Sequence, residues 1–506
     1  MERGNSEEDR ISILPESLIH HILSFMSITY AVQTCVLSKR WQYIWTSMPV
    51  LRFSNNYVCD WEASDDDFYE EPYFRTKGFL KFVDRVLKLR DNNSDIQRFE
   101  LKCSNFHVSR RKIYEFIETA VNHNVQEVYI KTDPMYGFEI PPCLCTCESL
   151  TKLELKLRFD EGDGEYQNKF ILPTEMSLPR LKSLCLKLND LSFHDENLTN
   201  RFFSSFPCLE SLIMEFGDGF INMNLNISLP KLEYLKFECW NFESYSEVKL
   251  HAPSLVSFVF NSYLSTSFTL ESLPSLVNAD IEIKIYIKDQ WPPSNSEIHE
   301  GMEEFYAQRC MRFLRRFHRV KVLTLRNAFI KALGGSPGIL DAQPPKFCNL
   351  QHLELETYLS RDCLCSIFYV LKISPNIESV SLQISKLNLY AFPVYPYCDE
   401  VKFNPENIGD YWDAGLSLSC MILHLKFVEI KGLRGWVNEL KFLEILLKHA
   451  MVLEEVILNS YSTKSVILDS DSNEKDSRRK KQMKKFSEML RKFPTVSKKI
   501  VILLNS

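Results

Sequence analysis

The sequence predicts a mixed α/β chain in three parts: a small N-terminal helical module, a long stack of parallel strands, and a C-terminal unit of strands and helices. Three observations predict it. Residues 9–53 carry apolar positions at helical spacing, Pro-x-Leu units recur through the middle of the chain, and a new alternating strand running into a helix begins at about Leu416.

The N-terminal module comes first. Leu14, Leu18, Ile22 and Phe25 follow the i, i+4, i+8, i+11 pattern of one helix face. Pro15 enters this helix at a first-turn position, where its missing N–H costs nothing. Thr34-Cys35-Val36-Leu37-Ser38-Lys39-Arg40-Trp41 follows, with Trp45 at helical spacing from Trp41. A segment this short cannot enclose a stable core, so its leftover apolar surface must meet the rest of the chain or a partner. Helical spacing alone fits a simple cap on the next domain equally well; the ordered series of short motifs goes further.

Those motifs, from Asp9 to Phe53, resemble the F-box in the form common among plant proteins, through Leu14-Pro15, Ile22-Leu23, Leu37-Ser38-Lys39-Arg40-Trp41 and Trp45. The resemblance implies docking onto a SKP-family adaptor, and through it onto a cullin/RING ligase core. The implied contacts are Leu14, Pro15, Leu18, Ile22, Leu23, Val36, Leu37 and Trp41, with Leu14, Pro15 and Ile22 expected to face outward. Where relatives carry a Leu-Pro-Thr-Lys-like turn, this chain reads Met26-Ser27-Ile28-Thr29-Tyr30.

The middle is repetitive. Pro179, Pro207, Pro230, Pro253 and Pro274 each open a Pro-x-Leu unit, at intervals of 28, 23, 23 and 21 residues. Each runs into L-x-x-L-x-L or a near variant: Leu181, Leu184, Leu186; Leu209, Leu212, Met214; Leu232, Leu235, Phe237; Leu255, Phe258, Phe260. Weaker copies start at Leu150, Val320, Leu350 and Ile377. The spacing and the period of two predict a leucine-rich-repeat solenoid with one short parallel strand per repeat. The asparagine that often ladders through such arrays is mostly absent, with Cys239 or Ser262 near its place, so the convex side is expected to be irregular. Lys182, Glu210, Glu233, Lys236 and Glu354 are expected to be exposed on the strands. Three stretches interrupt the array and read as loop excursions: acidic Asp60–Pro72, Lys288–Glu303 and Gly334–Pro345.

The C-terminal unit alternates through Leu423, Leu425, Phe427 and Ile430, turns at Gly432 and Gly435, forms a helix presenting Leu440, Leu443, Leu447 and Ala450, and returns in a strand at Val456-Ile457-Leu458. It resembles the FBD of plant F-box proteins through Leu423-x-Leu425-Lys426-x-Val428-Glu429-Ile430-x-Gly432, Asn438-Glu439-Leu440 and Leu446-Leu447-Lys448-His449-Ala450. The domain expectations are therefore an F-box at 9–55, a linker and N-terminal cap at 56–95, the solenoid at 96–385, a connector at 386–415 and an α+β FBD at 416–504.

Composition bounds the function. A net charge of −6 over 506 residues draws the chain neither to nucleic acid nor to an anionic membrane. The polar, acidic start is unlike a secretory signal and no apolar run approaches a membrane span, which predicts a soluble intracellular protein of nucleus or cytoplasm. Its 15 cysteines then read as reduced thiols. Cys143-x-Cys145-x-Cys147, read as an extended segment, has the wrong spacing for a zinc knuckle. The basic run Arg478–Lys485 continues into Phe486, Met489, Leu490 and Phe493 at helical spacing, and so reads as the solvated face of a helix rather than a nucleic-acid site. No phosphate loop or nucleophile elbow appears, and no metal or cofactor is called for.

The expected function is that of a non-enzymatic substrate receptor of an SCF-type ubiquitin ligase, with the repeats holding an unidentified protein target. Two alternatives stay open: a scaffold or sequestering protein outside any ligase, and a small-molecule co-receptor. The second would need several basic groups lining one pocket, and no such clustering shows in the linear sequence.

Overall fold

A computed structural model describes residues 11, 13–55, 71–103, 108–134, 137–159, 170–189, 195–217, 224–240, 247–263, 267–271, 273–284, 303–334, 346–357, 359, 361–384, 422–461, 472–497 and 500–505. The expected connector, the acidic segment 60–70 and the insertions 288–302 and 335–345 lie outside them. The chain divides into two compact units, residues 1–255 with 265–272, and residues 256–264 with 273–506.

In the first unit seven strands form one parallel ladder in the order β1 (Val50–Ser54), β2 (Arg98–Cys103), β3 (Glu127–Thr132), β5 (Lys152–Leu157), β7 (Ser183–Leu188), β8 (Ser211–Phe216) and β10 (Tyr234–Cys239). The Pro-x-Leu signature has a local cause. In each unit the proline occupies the second position of a turn whose fourth residue is the leucine: Leu181 N–H donates to Leu178 O at 3.2 Å, Leu209 to Phe206 O at 3.2 Å and Leu232 to Leu229 O at 3.2 Å. Proline presets the φ that position requires, and the turn delivers the leucine to the interior two residues before the strand begins.

Register then stacks the repeat leucines. Leu153, Leu184, Leu212 and Leu235 form one row across β5, β7, β8 and β10, and Leu155, Leu186, Met214 and Phe237 the next. All eight are buried. Each such side chain contributes about 1.5–3 kcal/mol on leaving water, but only because its neighbour supplies the other wall. Two smaller parallel sheets complete the unit: β4 (Phe138–Glu139) with β6 (Phe170–Ile171), and β9 (Asn224–Ser228), β11 (Glu247–His251) and β13 (Ser267–Leu270). Elsewhere the return segments include the helices Arg110–Asn122 and Glu196–Ser204, so the side away from the main ladder mixes strands with helices.

In the second unit the strands run parallel in the order β12 (Ser257–Tyr263), β14 (Asn278–Lys284), β15 (Val322–Arg326), β16 (His352–Thr357), β17 (Ser379–Ile384), β18 (Phe427–Leu433), β19 (Glu455–Ser460) and β20 (Val501–Asn505). The predicted FBD elements are present, and their strands extend the ladder: β18 pairs in parallel with β17, placing Val428 beside Val380 and Ile430 beside Leu382. Helices Asn327–Gly334, Arg361–Lys372 and Val437–His449 return the chain between successive strands.

Candidate docking surfaces

The N-terminal module comprises α1 (Glu16–Leu23), α2 (Ile28–Gln33) and two short 3-10 turns, and leads directly into β1. Ile19, Leu23, Ile28, Ala31, Trp41, Ile44 and Met48 fill its interior. Of the expected adaptor contacts, Leu23, 2% exposed, and Trp41, 4% exposed, pack into the module's own core. On α1 Leu23 turns inward with Ile19, whereas Leu18 and Ile22 stay exposed, and an indole of Trp41's area is worth most where it closes a small core.

The other expected contacts lie at the surface to differing degrees. Pro15, Leu18, Ile22, Val36 and Leu37 are exposed, Val36 at 83%, while Leu14 is half-buried. The backbone carbonyl of Leu14 accepts a 2.7 Å hydrogen bond from Arg40 Nη2, which ties the start of the module to its end. Pro15, Leu18, Ile22 and Phe25 follow the i, i+3, i+7, i+10 spacing of one helical stripe. Phe25, Met26, Tyr30 and Tyr43 are also large and exposed. They lie outside the contact set that the motifs imply. Their common signal is a large apolar residue with no partner left in a core already filled.

The unusual turn is well built. Ser27 caps α2, its hydroxyl accepting from Thr29 N–H at 3.3 Å, and Ile28 is buried directly beneath. The module is also fixed to the repeats: Arg52 on β1 donates to Ser24 O, and the buried Arg90 donates to Met48 O at 2.6 Å and Asp95 O at 2.8 Å. Burial lowers the Arg90 guanidinium to about 10, with Asp91 and Asp95 opposing that shift.

The exposed faces of the ladders are polar. All five expected positions are at least partly exposed; Lys182 pairs with Glu210 at 3.0 Å, and Lys236 with Glu215 at 2.6 Å and Glu238 at 2.9 Å. Register assembles a feature that the linear sequence does not display. Lys102, Lys131, Lys156 and Lys187 stand side by side on β2, β3, β5 and β7, followed by Glu215 on β8. The absence of basic clustering is thus corrected, because residues 25–31 apart become neighbours only when the strands align. Tyr129 supports the row, with Lys102 and Lys156 Nζ at 5.2 and 5.0 Å from its ring centroid. In the second unit the corresponding face gathers acids around Arg326, which is held by Asp280 at 2.9 Å and Glu356 at 2.7 Å.

The Asn438-Glu439-Leu440 motif of the C-terminal unit is structural. Glu439 is fully buried, and its carboxylate accepts from the backbone N–H groups of Arg434, Gly435 and Trp436, the closest at 2.7 Å. Burial pushes its carboxyl up to about 7, against the pull of those three donors. Gly435 has φ +82°, a left-handed conformation that suits glycine and brings these N–H groups around the carboxylate. Asn438 Nδ2 donates to Leu359 O at 2.9 Å.

The Cys143-x-Cys145-x-Cys147 segment is not extended as expected: Pro142–Cys145 is a short helical turn. Burial raises the Cys145 thiol to about 12, so it is an interior thiol rather than a ready ligand. Among the described residues no three His, Cys, Asp or Glu side chains are grouped to hold a metal ion, and no helix is long and apolar enough to cross a membrane. The basic run lies on the helix Ser472–Leu490, with Phe486 and Leu490 buried and Lys481, Lys484 and Lys485 exposed.

A helical module with apolar side chains left outside a filled core is thus built onto a ladder of leucine-rich repeats. The comparisons narrow the class. The F-box domain model matches residues 11–53 and the FBD model residues 417–458. Among Arabidopsis thaliana proteins, an F-box/LRR-repeat protein is 29% identical over 75% of this chain and 92% of its own length. Two F-box/FBD/LRR-repeat proteins are 25% identical over 92% of this chain and 95% of the relative, and 28% identical over 75% and 77%. The chain carries an F-box and an FBD on either side of its leucine-rich repeats, and is similar over most of its length to F-box/FBD/LRR-repeat proteins. F-box proteins generally act as substrate adaptors of SCF-type ubiquitin ligases, their F-box binding SKP-family adaptors.

Proposed function

We propose that this chain is a substrate-recognition subunit of an SCF-type ubiquitin ligase and carries no chemistry of its own. The apolar stripe on the N-terminal module holds the SKP-family adaptor, and the polar strand faces of the repeats hold a target protein. The ligase then modifies that target because the two are kept at high effective concentration. One observation carries the reading. Pro15, Leu18, Ile22, Phe25, Val36 and Leu37 stay exposed on a module whose interior is already filled, and a concentration of apolar surface of that kind marks a protein interface.

The test is co-expression of the full chain with a SKP-family adaptor, beside an Ile22→Asp form. Stable co-purification of the parent and its loss in the variant are expected. If the variant still co-purifies, the docking stripe is misassigned; if the parent does not, the ligase reading gives way to a scaffold outside the ligase.

A further inference from the structure

We infer that a hollow at the C-terminal ends of β3, β5, β7, β8 and β10 seats an acidic peptide segment of the target, anchored by one of its own apolar side chains. The inference rests on the receptor reading above and deepens it, giving the chemistry of the partner at the repeat face.

The hollow has a volume of about 390 Å³. Lys131, Lys156, Arg158 and Lys187 line it together with Asp133 and Glu215, so four cations face two acids. Lys187 and Glu215 already pair at 2.5 Å, and Arg158 reaches the nearly buried Asp133 at 3.3 Å while its guanidinium side chain remains 67% exposed. Lys156 is paired with Glu154 at 2.9 Å, so the surplus positive charge lies toward Lys131, beside the largely exposed Arg158. At the opposite end the floor is apolar: Leu188 and Phe216, closed by the half-exposed indole of Trp240. Charge at one end and an accessible aromatic at the other fit a ligand that carries carboxylates beside an apolar side chain.

The walls are fixed in advance. Asn189 clamps the chain after β5, its side chain accepting from Phe159 N–H at 2.6 Å and donating to Phe159 O at 2.7 Å, which holds the Arg158 backbone in place. Gly217 completes the wall: a Cβ there would stand 2.7 Å from Asn189 Cα. A surface that is ordered before binding loses less entropy when a ligand arrives.

The shape favours a peptide over a small anion. Five neighbouring strands about 4.8 Å apart give an open trough roughly 19 Å long, the reach of about six extended residues. A free anion would need enclosure that an open trough does not give.

The test uses the full chain co-purified with its adaptor and three fluorescein-labelled probes: an octapeptide of alternating glutamate and leucine, its lysine–leucine counterpart, and a short oligothymidylate. Fluorescence anisotropy at low salt is expected to show binding of the glutamate peptide only. Joint K156Q, R158Q and K187Q substitution should raise its Kd about tenfold, since each partly exposed charge contributes modestly, and W240A should weaken it further. Because Arg158 is so exposed, R158Q alone keeps the test meaningful should the triple form misfold; about a threefold rise is expected. K182Q, on the turn before β7 and outside the hollow, should change nothing. No binding by the parent, equal binding of both peptides, tighter binding of the oligonucleotide, or undiminished binding by R158Q would overturn the inference. Adaptor co-purification reads the receptor proposal separately, so either can fail while the other stands.

Discussion

The N-terminal module and the repeat ladders treat apolar side chains in opposite ways. In the ladders the repeat leucines are buried row upon row, and the strand positions between them are largely charged or polar. In the module a filled core of Ile19, Leu23, Ile28 and Trp41 coexists with Leu18, Ile22, Phe25 and Val36 in solvent. The difference teaches where to look for binding energy. Apolar surface left outside a core binds by burial and tolerates little change; a charged strand face binds by complementarity spread over many modest terms.

Four substitutions sharpen that contrast. The largest effect is expected from Ile22→Asp, which should weaken adaptor binding by about 3 kcal/mol or more, as for an interface hot spot. Its thermal unfolding should be unchanged, because the side chain is 48% exposed. Titration calorimetry and a melting curve read the two halves. Leu235→Ala should do the reverse. Leu235 is fully buried within its row, so about 3 kcal/mol of stability is expected to go, in the range of leucine-to-alanine cavities, with adaptor affinity intact. Loss of adaptor binding there would couple two regions that the contrast keeps apart.

Glu439→Gln tests the second unit. An amide nitrogen would face backbone N–H donors where a carboxylate oxygen now accepts, and a stability loss of about 2 kcal/mol is expected by urea denaturation. The smallest effect should come from Lys182→Ala. Its ion pair with Glu210 is exposed on both sides, and a change within about 0.5 kcal/mol is expected. A larger loss would mean that the strand-face pairs stabilise the ladder more than solvent-screened pairs should.

What the sequence discloses follows from the same contrast. Hydrophobic periodicity reports burial, so the Pro-x-Leu turns and the stacked rows through Leu184, Leu212 and Leu235 were readable in advance, as was the strand–helix–strand order of the FBD. The burial of Leu23 and Trp41 was not readable, because a motif match says that a residue matters to the module without saying which way its side chain points. The Lys102–Lys131–Lys156–Lys187 row was unreadable for a different reason: it exists only in register, and register is set by turns and return segments of unequal length. That the FBD strands would join the repeat ladder was hidden likewise, since parallel pairing leaves no mark on either strand alone.

The most direct test of the account is amide hydrogen exchange on the full chain with and without a SKP-family adaptor. The account predicts added protection confined to residues 14–43 of the N-terminal module and none over the strands from Ser183 to Cys239. Protection on those strands with none on the module, or no protection anywhere at saturating adaptor, would contradict it.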